Sequence, residues 1–383
     1  MKVGIITELS DDIINYGNCL QAYALNYYVR SVMKEAQVET LKVQHSLSNR
    51  FQTKRMSIPV IAEKVWRRIK GKIYTREAFP GREVRRKTFI DFSTSNIPQC
   101  KGTLKYEDFA NSDYDIYIVG SDVVWMQFRY SINRIKFLDL PVKKSFKRIS
   151  YAASFARNWI PEENKNAIYN CLRKFDSISV RERSSVELLR SIGIEECTYA
   201  LDPTLLLSKE EWGKMEVQPV GVNNERYAFV YLLGEDICQY REAERLCHRE
   251  GIKTVVIPYA SGERAKWGYI TGDVQIWECS PQNWLWLVHH AEYVVTDSFH
   301  GLAFSTIFKR KFVAVERKKN NLGNRLIDFL CTIGQENKFV QIDRLASWDG
   351  LDWDYEEIDK RIDAERRHSM EYLERSLRMT TEN

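Results

Sequence analysis

No run of about eighteen uncharged apolar residues occurs anywhere in the 383-residue chain, so no segment reads as a membrane-spanning helix. Paired cysteines are missing too. The eight thiols, Cys19, Cys100, Cys171, Cys197, Cys238, Cys247, Cys279 and Cys331, include no CxxC pair and no companion His at zinc-finger spacing, which points to reduced, mostly buried side chains. His289 and His290 are adjacent; on a helix they project about 100° apart and do not readily share one ion, and no structural metal is expected. A G-x-S-x-G elbow is absent, and Asp297, Ser298 and His300 stand too close in sequence for a three-element hydrolase triad. Internal repeats and low-complexity tracts are also lacking. The opening MKVGIITELS meets Thr7, Glu8 and Asp11 too early for a secretory core and reads as a buried first strand, giving the expectation of a cytoplasmic protein.

What is present is an ordinary globular composition: 44% hydrophobic, 12% aromatic and 28% charged residues. The length exceeds what one core usually serves, so two domains are expected. The formal charge of +5 is local. Residues 64–87 hold ten Lys or Arg against two Glu, and the rest of the chain is slightly acidic. Such a segment suits peripheral contact with the inner membrane face or a lipid diphosphate, or is simply a solvated basic helix. Without a recognition motif it gives no reason to expect nucleic-acid binding.

Apolar strand-like runs alternate with helical patterns, the mark of parallel βαβ construction. One set comprises Val3 to Thr7, a helix from Gly17 to Val32, then Ile116 to Val119, Arg148 to Ala152, Ser177 to Val180 and a helix from Ser184 to Ser191. A second begins after a capping box at Ser208 to Glu211. It continues through strands at Tyr227 to Leu233, Lys253 to Pro258, Tyr293 to Thr296 and Phe312 to Val315, separated by helices. The expected division is an N-terminal domain at 1–205 with a basic helical insertion at 50–95, and a C-terminal domain at 206–350. A helix within 351–383 then docks across both. Two Rossmann-like domains facing a central cleft satisfy the pattern, and ligands would sit where strands end and helices begin.

Those junctions carry the candidate chemistry. Thr296-Asp297-Ser298-Phe299-His300-Gly301 gathers a carboxylate, a hydroxyl and an imidazole at a helix start; helix capping and a core histidine are the competing explanation. Ser179-Val180-Arg181-Glu182 brings a guanidinium suited to phosphate or carboxylate, or alternatively a surface ion pair. Gly120-Ser121-Asp122 repeats the geometry. The opening loop through Asn15, Tyr16, Gly17 and Asn18 offers groups able to bond sugar hydroxyls, and Arg325 follows the strand at Phe312 to Val315.

Five blocks in order resemble the polysaccharide pyruvyl transferase family. They are Asn15-Tyr16-Gly17 with Leu20-Gln21 and Tyr23-Ala24-Leu25; Gly120-Ser121-Asp122 with Trp125; Ser150-Tyr151-Ala152-Ala153-Ser154; Ser179 to Glu182 through Leu201-Asp202-Pro203-Thr204; and Thr296 to Gly301. The likeness runs from about residue 3 to 335. One block departs from the family pattern, with Val123 and Met126 where Gln and Asn are usual.

The resemblance implies a fold like that of GT-B glycosyltransferases. It also implies phosphoenolpyruvate as donor and a sugar acceptor, lipid-diphosphate-linked or free, in capsule or exopolysaccharide synthesis without a cofactor or metal. Its catalytic candidates are His300, Asp202 and Asp297. Donor contacts fall to Arg181, Arg325, Ser298 and Gly301, and acceptor contacts to Asn15, Tyr16, Asn18, Gln21, Ser121, Asp122 and Trp125. The rivals are a nucleotide-sugar glycosyltransferase on the same scaffold and a non-catalytic protein that binds lipid-linked sugar or an anionic membrane surface.

Overall fold

The structure, a computed structural model, describes residues 1–9, 11, 14–44, 50–52, 66, 81–126, 131–223, 225–234, 236–259, 271–317, 324–350 and 352–378. It divides into two compact units. Met1–Met56, Ser93–Leu207 and Asp363–Asn383 form the first, and Ser57–Phe92 with Ser208–Ile362 the second.

The first unit is built on a six-stranded sheet in the order Gln37–Thr40, Lys2–Ile6, Ile116–Val119, Lys147–Ala153, Ser177–Val180, Thr198–Tyr199. Every pairing in it is parallel. Ile116–Val119 is buried at all four positions, as expected of a strand covered on both faces. Helix Tyr16–Val32 packs Leu20, Ala24 and Leu25 inward and starts at Asn15, whose side chain accepts from the Asn18 N–H at 3.2 Å. Trp125 is fully buried, stacked on Phe137 at 5.5 Å, with its indole N–H donated to the Lys136 carbonyl at 2.8 Å.

The second unit repeats the plan. Its sheet runs Val274–Gln275, Lys253–Val256, Tyr227–Tyr231, Tyr293–Thr296, Lys311–Val315, Phe339–Val340, again all parallel. Trp284 and Phe304 meet edge-to-face between helices Pro281–His290 and Phe299–Ile307 at 5.2 Å.

The domain boundaries at 205 and 350 shift slightly, and the insertion changes sides in part. Within the stretch placed wholly in the N-terminal domain at 50–95, the described residues Arg82–Phe92 belong to the second unit. The Arg85 guanidinium donates to the carbonyls of Trp277 at 2.7 Å and Pro258 at 2.8 Å, which fixes that helix to the second sheet. Most of the basic segment 64–87 lies outside the described residues, of which it contributes Trp66 and Gly81–Lys87. Helix Tyr355–Arg378 spans the division at residue 362, burying Ile358 and Ile362 on the one side and Leu373 and Leu377 on the other. Among the described residues no helix is long and apolar enough to cross a membrane.

One glycine is dictated by space and conformation together. Gly120 ends the strand Ile116–Val119 at φ 129°, and a Cβ there would stand 2.0 Å from the Tyr151 carbonyl oxygen of the neighbouring strand. Gly120→Ala is expected to lower stability by about 2–4 kcal/mol, read as a fall in urea midpoint at unchanged slope.

Candidate functional site

Parallel strands in register deliver their C-terminal ends to one edge of a sheet, and the residue after each strand determines what that edge holds. In the first unit these residues are Thr7, Ser121, Asp122, Ser154, Arg181, Glu182 and, after Thr198–Tyr199, Asp202. They form one buried network. Arg181 lies at its centre with a side chain 1% exposed: Nη1 donates to Asp202 Oδ2 at 2.9 Å and to Asp122 Oδ1 at 3.4 Å, and Nε to Glu182 Oε1 at 3.2 Å. Burial alone would lower the guanidinium pKa, but Glu182, Asp122 and Asp202 outweigh it and raise the pKa above its ordinary value.

The carboxylates are held in turn. Asp202 accepts from Ser121 Oγ at 3.0 Å and, through its other oxygen, from the Thr204 N–H at 3.1 Å and Thr204 Oγ1 at 2.8 Å. Glu182 accepts from Ser154 Oγ at 2.7 Å. Gln21 joins from the first helix, donating to Thr7 Oγ1 at 2.8 Å and accepting from the Ser121 N–H at 3.3 Å.

Several residues expected to contact ligand are buried among partners of their own. Arg181, read as a donor clamp, is surrounded by three carboxylates, the reverse of what a dianion needs. Asp202, read as catalytic, spends both oxygens on internal partners with no side-chain exposure. Of the acceptor candidates, Gln21, Ser121 and Trp125 are wholly buried, and Tyr16 and Asp122 nearly so. Asn15 and Asn18 remain partly exposed at the start of the first helix.

The second unit builds a tighter corner. Tyr231, Thr296 and Ala314 are aligned on adjacent strands, so the segments after them meet. Asp297 accepts from the Leu233 N–H at 2.6 Å and from Arg317, whose Nη2 and Nε lie 3.0 and 3.1 Å from its two oxygens. Arg317 Nη2 also donates to the Asp297 carbonyl at 2.9 Å. This two-pronged grip is the geometry for which arginine is suited. Below it, Thr296 Oγ1 donates to the Tyr231 carbonyl at 2.7 Å and accepts from the Ser298 N–H at 3.1 Å.

Ser298 caps helix Phe299–Ile307, its side chain accepting from the Gly301 N–H at 3.4 Å. Gly301 is required by space, since a Cβ would come within 2.3 Å of Thr296 Oγ1. His300 occupies the helix's first turn, 6% exposed, its ring edge-on to Phe299 with centroids 5.3 Å apart. Arg325 is half-buried in helix Asn324–Ile333, which follows the same sheet edge in sequence.

Arg317 was not singled out, although it stands two residues after the strand Lys311–Val315, at the kind of position used to choose Arg181. Glu182 entered the sequence reading as the ion-pair partner of Arg181 at the surface, and the pair is present but buried; Ser154 and Thr204 carried no role of their own. Their strand-end placement was the available signal. Because the Asp297 side chain has no exposure, Arg317→Gln is expected to leave a buried carboxylate half-satisfied and to cost about 1–3 kcal/mol, measured by urea denaturation.

The adjacency argument about His289 and His290 is corrected by the structure. Both rings reach one carboxylate: His289 Nδ1 lies 2.7 Å from Glu216 Oε2 and His290 Nε2 lies 3.2 Å from Glu216 Oε1. Using the near nitrogen of one ring and the far nitrogen of the other overcomes the angular divergence.

Two parallel six-stranded sheets, each layered with helices, define a two-domain α/β fold of the GT-B type. The chain is similar, at 12% identity and TM-score 0.52, to a protein assigned as a UDP-N-acetylglucosamine 2-epimerase from Listeria monocytogenes, over 96% of each chain. It is also similar to UDP-GlcNAc 2-epimerase from Methanocaldococcus jannaschii, at 12% identity and TM-score 0.48 over 95% of this chain and 92% of that one. With E. coli heptosyltransferase WaaC the identity is 12% and the TM-score 0.42, over 89% and 92%. At such identities the first likeness shows the fold alone, and the other two carry no argument. No curated protein matches. The family description "Polysaccharide pyruvyl transferase", however, matches residues 15–319, and the chain belongs to that family.

Proposed function

We propose that this chain moves the pyruvyl group of phosphoenolpyruvate onto a pair of sugar hydroxyls, forming a cyclic ketal during polysaccharide biosynthesis. The observation that carries the reading is the corner of the second unit. There an imidazole enters the first turn of a nine-residue helix whose starting point is fixed by the Asp297–Arg317 grip, within a family of pyruvyl transferases. A helix N-terminus favours an anion, and histidine gains and loses a proton near neutral pH.

The chemistry needs a proton donor, charge stabilisation and proton acceptance. Protonation of the methylene carbon of phosphoenolpyruvate leaves C2 electron-poor, and the first sugar hydroxyl adds there as its proton departs. The bond from C2 to the phosphate oxygen then breaks, phosphate leaves with the bonding pair, and the second hydroxyl attacks C2 and gives up its proton to close the ketal. His300 is the proposed proton donor or phosphate-side partner, with Ser298, the Gly301 backbone and Arg325 on the donor.

Asp297, Asp202 and Arg181 are assigned as positioning residues on account of their internal partners. Asn15 and Asn18 are the acceptor contacts that keep some exposure. A lipid-diphosphate-linked acceptor, met at a membrane surface through the basic segment 64–87, fits the local charge. Neither cofactor nor metal is invoked for the transfer.

The reading is tested by supplying phosphoenolpyruvate or a UDP-sugar with the same acceptors. Phosphate release with the first supports it. Nucleotide release with the second, and no reaction with the first, replaces it with glycosyl transfer.

A further inference from the structure

Away from the corner of the second unit, a separate cluster combines three groups of metal-binding type. Glu216 follows the short helix Lys209–Gly213, and His289 and His290 close the helix Pro281–His290. One ligand atom from each lies within 4.8 Å of the other two. The packing holds the rings in place: His289 stacks on Phe308 with centroids 4.3 Å apart and planes 12° apart, and His290 on Trp286 at 4.4 Å and 20°. The Glu216 segment is fastened to the same helix, because the Val217 N–H donates to the Gln282 carbonyl at 3.2 Å and the Asn283 amide to the Val217 carbonyl at 2.9 Å. Glu216 and His289 are partly buried and His290 is exposed, so an ion has a route in from solvent.

We infer that Glu216, His289 and His290 form a binding site for a divalent zinc ion. Two imidazole nitrogens and a carboxylate oxygen are the donors such an ion takes, and bond lengths near 2.0–2.2 Å place tetrahedral ligand atoms about 3.3 Å apart. The carboxylate-to-imidazole separations of 2.7 and 3.2 Å are direct contacts to the two different oxygens of Glu216, and the three ligand atoms, within 4.8 Å of one another, adjust to the tetrahedral spacing to hold the ion. Three protein ligands leave the fourth position to water.

Lys209 is a nearby cation that opposes binding, and the −1 charge of Glu216 offsets it. The site is not at the proposed chemistry. Phe308, against which His289 packs, follows the C-terminal end of helix Phe299–Ile307, whereas His300 sits in its first turn, about 12 Å away along the helix axis. Zinc here would tie the segment after Lys209–Gly213 to the end of Pro281–His290, acting on stability rather than on turnover.

The test is calorimetric titration of zinc chloride into the EDTA-stripped full chain, with cobalt(II) absorption as a second readout. One saturable equivalent is expected, with the visible bands of a tetrahedral cobalt site and a raised Tm for the zinc-loaded chain. His290→Ala, at an exposed position that leaves the fold intact, and Glu216→Gln should each weaken binding at least ~10-fold. His248→Ala, at an exposed imidazole paired with Asp273, should leave it unchanged. Absence of saturable binding overturns the inference, as does zinc affinity that is the same in the His290→Ala and Glu216→Gln variants as in the parent chain.

Discussion

Replacing Arg181 with methionine is expected to lower the stability of the first unit by about 3–5 kcal/mol, a large share of what a domain possesses. The substitution keeps the approximate volume and removes the guanidinium that Asp122, Glu182 and Asp202 share, all buried. Three buried carboxylates would then lose the cation that they share. Hydrogen exchange should show the loss in the strands Lys147–Ala153 and Ser177–Val180, on either side of the knot, while the second unit keeps its protection. Arg181→Lys should fall between, since an ammonium supplies the charge without the planar fork that reaches three acceptors at once. A methionine variant within about 1 kcal/mol of the parent would show that the network is not what holds this edge.

His300→Gln is expected to reduce pyruvyl transfer by about 10²–10⁴-fold while the chain stays folded. Glutamine is near in size and able to hydrogen-bond, but it cannot deliver a proton near neutral pH. The measurement is initial phosphate release from phosphoenolpyruvate with acceptor, alongside circular dichroism to confirm the fold. Near-parental turnover in a folded variant would remove His300 from the chemistry and leave it as a core residue beside Phe299.

How much of this could be read from the chain follows from the physics of each element. Ile116 to Val119, Ser177 to Val180 and Tyr293 to Thr296 lie at the bounds the sequence implied, because a buried parallel strand is a continuous apolar run. The edge strands were missed. Thr198–Tyr199, Val274–Gln275 and Phe339–Val340 are two residues each, too short for periodicity to register, and the fourth edge strand, Gln37–Thr40, has four residues that include Gln, Glu and Thr and no apolar run.

The site was legible as a set of strand ends but not as a set of contacts. Arg181, Asp202 and Ser121 stand at strand ends as the pattern implied, and they meet in one buried network, yet sequence cannot say whether an arginine faces solvent or three acids brought to it by register from other strands. For the same reason Arg317 was overlooked: its partner Asp297 is 20 residues earlier in sequence, and only the alignment of Thr296 with Ala314 brings them together. Conversely, the helical angle between His289 and His290 was sound for directions from the axis. It failed for side-chain reach, because the two imidazoles use different nitrogens to meet Glu216.

The central claim is that phosphoenolpyruvate is consumed to build a ketal on sugar, and mass spectrometry of the reaction tests it most directly. Incubated with phosphoenolpyruvate and galactose-, glucose- and mannose-type acceptors, the chain should yield a product heavier by one pyruvate less one water, with one phosphate released per product. An acceptor panel returned unchanged by folded protein, or modified only when a UDP-sugar replaces phosphoenolpyruvate, would contradict the account.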